Sequence, residues 1–204
     1  MLQYILNESE RYGIAELVQM AIEGGCAWIS LDLPELDDTQ LREAVAGEVM
    51  EMCRQAGVFL TVNDRPDTAT QLGLHGVIFS RQYMATHDGA TPASLRETLG
   101  PEAVIGIETA DASIAPALQA ADIDFAMVPA SFDADARARF IRTFRAGGIQ
   151  VPVMARGEFD VSDVPAVMAQ GFNGIAIGSA ITDADDPVAA VGSYLDILTQ
   201  APGA

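Results

Sequence analysis

The chain has 204 residues, enough for one core, and carries 29 acidic against 11 basic residues, a formal charge of −18. Nucleic-acid phosphates and anionic membranes require clustered cations, so neither a nucleic acid nor a membrane is expected as partner, and the acidity reads as a solvated surface. All 11 basic residues are arginine, which excludes chemistry built on a lysine amine, including Schiff-base aldolases, pyridoxal enzymes and the phosphate-loop lysine.

Leu2–Leu6 reads as a strand, and residues 10–23, apolar at Ile14, Leu17, Val18, Ala21 and Ile22, as a helix stopped by Gly24-Gly25. The opening LQYIL, followed by Asn7, Glu8 and Glu10, is too short and too acidic for a signal peptide, and no apolar run reaches membrane-spanning length. A strand at 28–33 and a helix at 39–55 follow. Cys26 and Cys53 lie in apolar-periodic segments without metal spacing and read as buried free thiols of a cytoplasmic protein. Two short apolar runs come next, at 58–62 and 76–79, closed by Asn63-Asp64-Arg65 and by Ser80-Arg81. Between them Pro66 starts a helix and Gly73 stops it. The remaining units are a loop with His87, a helix near Pro92–Leu99, strands at 104–107, 125–128, 151–155 and 174–178, and helices at 111–120, 133–146, 162–170 and 187–198. Residues 201–204 read as a loose tail on a single domain spanning 1–200.

The tetrapeptides GCAW, GLHG, DIDF and GFNG precede the even-numbered strands. They start at Gly25, Gly73, Asp122 and Gly171, steps of 48, 49 and 49 residues. Each step holds two strand-helix units, as a quarter of a (β/α)8 TIM barrel would, whereas an open doubly wound sheet rarely repeats so evenly.

A barrel gathers the residues just past each strand into one ring. The ring comprises Asn7, Glu8, Asp32, Asn63, Asp64, Arg65, Ser80, Arg81, Glu108, Thr109, Pro129, Arg156, Glu158 and Ser179. Its four carboxylates, Asp32, Asp64, Glu108 and Glu158, either hold a hard divalent ion such as Mg²⁺ or pair with Arg65, Arg81 and Arg156 across the barrel. Zinc does not suit it, because His75 precedes its strand and only His87 remains. In GFNGIAIGSAI, Gly178-Ser179-Ala180 places a residue without a side chain and free N–H groups where a phosphate would approach. Gly157 stands past the seventh strand, flanked by Arg156, which could bind a phosphate, and Glu158, which could repel it. Close helix packing would use the same small residues.

LTVNDRPDTATQLGLHGVIFSRQ, together with GFNGIAIGSAI, resembles thiamine phosphate synthase and its relatives the thiazole tautomerases, which are (β/α)8 barrels. In the synthase, hydroxymethylpyrimidine diphosphate loses its diphosphate to Mg²⁺ and basic residues, and the nitrogen of thiazole phosphate captures the cation. The resemblance implies a phosphorylated small molecule as ligand, Asn63 on the diphosphate, Asp64 as a Mg²⁺ ligand, and Gly157, Gly178 and Ser179 on the thiazole phosphate. Arg65, Arg81 and Arg156 are further candidates for the anions, and Asp64 or Glu108 for acid-base work. The chain departs from the family at Asp32 and Pro34, where an Arg and a Lys serve the diphosphate. It also departs at Tyr83 or its neighbours, in place of a second magnesium carboxylate, at Glu108, in place of a serine, and at Pro129-Ala130-Ser131. Exchanging cations for Asp32 turns attraction into repulsion of about 1 to 4 kcal/mol per close contact. A catalytically silent binding paralogue is therefore the alternative, with a tautomerase, isomerase or lyase on the same scaffold as a third, and exposed apolar helix faces allow a homodimer.

Overall fold

The computed structural model describes residues 1–200; the expected tail at 201–204 lies outside them. Eight strands, β1 (Leu2–Leu6), β2 (Trp28–Leu31), β3 (Phe59–Asn63), β4 (Gly76–Phe79), β5 (Val104–Glu108), β6 (Phe125–Val128), β7 (Val153–Arg156) and β8 (Gly174–Ile177), close in sequence order into a parallel barrel. The strands are apolar almost throughout because the outer face packs on helices and the inner face fills the barrel. Among the described residues no helix is long and apolar enough to cross a membrane.

The register sets inward-facing residues in levels of four, drawn from alternate strands. Trp28, Gly76, Phe125 and Gly174 form the lowest level. Gln3, Thr61, Gly106 and Met154 come next, then Ser30, Ile78, Met127 and Ala176, then Ile5, Asn63, Glu108 and Arg156. The near-49-residue period of the sequence is thus the spacing of the even-strand levels. Ile5, Ile78, Phe125, Met127, Met154 and Ala176 form an apolar cluster inside the barrel, apart from the larger core between strands and helices. Gln3, Thr61 and Ser30 place buried polar groups at the middle levels, and charged side chains enter only at the upper end with Glu108 and Arg156. The Trp28 indole meets Phe125 edge-on at 5.1 Å and donates to Thr61 Oγ1 at 3.1 Å. A Cβ on Gly106 would stand 2.1 Å from the Phe125 ring, so this glycine is the hole that the ring fills.

Several expected boundaries shift. The helix expected at 39–55 is two, Asp38–Val45 and Glu48–Ala56, because Ala46 is extended and Gly47 takes φ 89°. The first helix starts at Ile14 rather than at residue 10, and 3-10 turns open the helical segments after β5 and β7. A further helix, Arg81–Thr86, follows β4 directly, capped by the Ser80 hydroxyl, which accepts from the Tyr83 N–H at 3.1 Å. Cys26 and Cys53 are free and buried, and burial pushes the Cys53 thiol up to about 11, which leaves it unreactive. His75 caps the opposite end, its Nδ1 accepting from the Leu60 N–H at 3.0 Å.

Candidate functional site

The mouth at the C-terminal ends of the strands rises from Ile5, Asn63, Glu108 and Arg156 to Asp32, Ser80, Pro129 and Gly178. Its centre is an ion triad. Arg156 Nη2 donates to Asp32 Oδ2 at 2.9 Å and Nη1 to Glu108 Oε2 at 3.3 Å, joining β7 to β2 and β5 across the barrel. The three side chains are 28%, 27% and 14% exposed, dry enough for the pairing to hold them in place.

Beside the triad, Asn63 Oδ1 accepts from Ser30 Oγ at 2.8 Å. Asp64 is one of two non-glycine residues with positive φ among those described, at 56°. That left-handed backbone aims its carboxylate at β4, where Oδ1 accepts from the Ser80 N–H at 2.7 Å and Oδ2 from the Ser80 hydroxyl at 2.5 Å. Strain held in this way is commonest at functional positions. A cavity of about 310 Å³ opens here, lined by Asp32, Asn63 and Asp64, by Arg65, and by Tyr83 and His87. The Tyr83 and His87 rings stack at 3.7 Å, an i,i+4 pair at the end of the helix Arg81–Thr86. Burial, and then the charges of Asp64 and Asp67, raise the Tyr83 phenol above its ordinary pKa. It therefore stays a neutral donor over the physiological range.

Past β8 the chain turns at Gly178 into the short helix Ser179–Thr182. The Ser179 hydroxyl accepts from Asn7 Nδ2 at 3.1 Å, Asn7 Oδ1 accepts from the Thr182 hydroxyl at 2.7 Å, and Thr182 Oγ1 meets the buried Tyr4 hydroxyl at 2.9 Å. This polar chain ties β1 to β8 behind the cradle formed by Gly178, Ser179 and the Ala180 N–H. Glu158 reaches that cradle, its Oε2 accepting from the Ala180 N–H at 2.7 Å.

The fold brings Asn63, Asp64, Glu108, Arg156, Gly178 and Ser179 to one end of the barrel. Three other expected residues are engaged differently. Arg65 lines the cavity wall, but its guanidinium is bound to Asp38 and to the Leu36 carbonyl. The Gly157 N–H donates to the Ala176 carbonyl at 3.2 Å, and a Cβ there would strike the Phe159 ring at 2.6 Å, so its small size serves packing. Arg81 is exposed beside a separate groove that it shares with Glu108 and Thr109. The four carboxylates do not converge: Asp32 and Glu108 take Arg156, Asp64 takes Ser80, and Glu158 takes a backbone N–H.

Among the described residues no three Asp, Glu, His or Cys side chains are grouped to hold a metal. Each Asp64 oxygen keeps a lone pair beyond its bond to Ser80. Mg²⁺ usually takes one or two carboxylates and completes its shell with water and substrate oxygens. A single carboxylate with free lone pairs could serve an ion that brings most of its ligands with it, not one caged by protein alone.

Nothing in the sequence alone marks Ser30, Thr182 or Tyr4 as site residues, and the Tyr83–His87 wall emerges from the fold. Only the last had a legible signal, two rings four residues apart on a helix.

A family model described as thiamine monophosphate synthase matches residues 2–181. A thiamine-phosphate synthase of Bacteroides fragilis is 29% identical, covering 96% of this chain and 98% of its own length. One of Azorhizobium caulinodans is 29% identical over 91% and 88%. Among solved structures, a thiamine phosphate pyrophosphorylase from Pyrococcus furiosus superposes with a TM-score of 0.81 at 22% identity, over 98% of this chain and 96% of that one, a likeness of fold. With every strand of the barrel inside the matched span, the chain belongs to the thiamine monophosphate synthase family.

Proposed function

We propose that this protein acts in thiamine biosynthesis at the upper mouth of its barrel, binding thiazole phosphate or a similar phosphorylated heterocycle and joining it to hydroxymethylpyrimidine diphosphate. The observation that carries this reading is the family match across residues 2–181, which includes every strand end of the mouth. Gly178, Ser179 and the Ala180 N–H would hold the monophosphate. Asn63, Asp64 and the Tyr83–His87 wall would hold the pyrimidine partner in the 310 Å³ cavity, with Arg65 in its wall, and Arg156 and Arg81 outside it, as the cations for its diphosphate. Bound Mg²⁺ would neutralise charge on that diphosphate, with Asp64 as its protein ligand.

In the joining step the bond between the pyrimidine methylene carbon and the diphosphate oxygen breaks, and the diphosphate leaves with both electrons. The thiazole ring nitrogen supplies the pair for the new carbon–nitrogen bond. That nitrogen carries no proton, so bond formation needs no base, and Asp64 and Glu108 act by charge and position. An acidic mouth favours the developing carbocation, which supports the assignment even where it disfavours the diphosphate. The two buried free thiols support work in the reducing cytoplasm.

One observation favours a second reading, a paralogue that binds without turnover: Arg156 is already shared by Asp32 and Glu108. Folded wild-type protein given both substrates and Mg²⁺ separates the two. Synthesis predicts thiamine phosphate and diphosphate released in equal amounts; no product above a protein-free blank favours the paralogue.

A further inference from the structure

Glu158 stands two residues beyond β7, and its carboxylate crosses to β8. Oε2 accepts from the Ala180 N–H at 2.7 Å, and Oε1 lies 3.3 Å from where a Cβ on Gly178 would stand. Both oxygens therefore occupy the space over Gly178 that a phosphate would enter. No arginine pairs with Glu158 among the described residues, and its contact there is that one N–H. The residue is exposed, so solvent can receive the side chain when it swings away. A carboxylate and a phosphate are both anions seeking the same donor, and at this separation each excludes the other by charge as well as by volume.

We propose that Glu158 is an internal competitor for the ligand's phosphate and determines how strongly this mouth selects phosphorylated over unphosphorylated heterocycles. A phosphate ester must displace the carboxylate, whereas the free alcohol can donate its hydroxyl proton to it. The proposal rests on the reading of the β7–β8 cradle as the phosphate end.

Titration calorimetry of wild type, Glu158→Gln and Glu158→Ala with inorganic phosphate and with thiazole phosphate tests it, with thermal unfolding of each variant as the check on folding. Both variants should bind each probe about tenfold more tightly than wild type, the size of one charge-assisted contact at an exposed site. Binding no tighter than wild type in both folded variants overturns the proposal, whether the wild type itself binds or not. The two readings fail separately. Product from the wild type with no gain in the variants sinks the competitor role alone; a gain in the variants with no product from the wild type sinks the synthase reading alone.

Discussion

Replacing Gly76 by alanine should strip the protein of about 4 kcal/mol or more of its stability at 25 °C. A Cβ at this position would stand 1.9 Å from the Val104 carbonyl oxygen and 2.6 Å from its carbonyl carbon. Those atoms are backbone, and Gly76 pairs with Val104 in the β4–β5 ladder, so no rotamer change relieves the clash. The strands must part or shift register. Overpacking that side chains can absorb costs about 1 to 3 kcal/mol. A collision with backbone inside a closed barrel should cost about 4 kcal/mol or more, against a typical total stability of about 5 to 15 kcal/mol. Urea unfolding reads this directly, with Gly192→Ala as the control. Gly192 lies within the helix Pro187–Gln200, and a Cβ there meets nothing within 4 Å. The control should be neutral or stabilising by up to about 1 kcal/mol. An unfolding midpoint for Gly76→Ala equal to wild type would contradict the barrel's closure at β4–β5.

Asp64→Asn should lower synthesis about 100-fold while leaving the protein folded. Asparagine tolerates the positive φ of 56° better than most residues. Its amide oxygen can still accept from the Ser80 N–H, so stability should fall by only about 1 kcal/mol. What is lost is the negative charge beside the cavity, which under the proposed function would face both the metal ion and the developing carbocation. Removing one oriented electrostatic partner of a transition state costs about 100- to 1000-fold. Single-turnover product formation measures the effect, and circular dichroism confirms the fold. A folded variant that keeps wild-type turnover would remove Asp64 from the chemistry.

Much of this architecture was legible because the barrel repeats. The period running from Trp28 through Gly76 and Phe125 to Gly174 encodes one interior level, and levels follow from register alone. The mouth could be enumerated for the same reason: polar residues cluster only where strands end. Its pairings could not. Arg156 and Asp32 lie 124 residues apart, and which carboxylate captures which arginine depends on side-chain reach across the mouth. Arg65 reads as a ligand in sequence, yet the Leu36 carbonyl in the loop after β2 and Asp38 at the start of the next helix engage it instead. Gly157 reads as a phosphate glycine until Phe159 is seen to fill its space. The break at Gly47 was masked by helix-compatible apolar spacing on both sides of it.

The most direct measurement is a crystal structure of the protein with thiazole phosphate. The account predicts the phosphate against Gly178, Ser179 and the Ala180 N–H, with the Glu158 carboxylate moved off that N–H and the thiazole ring turned toward Asn63 and Asp64. A ligand bound elsewhere on the molecule, with Glu158 still on Ala180 and the mouth empty, would contradict it.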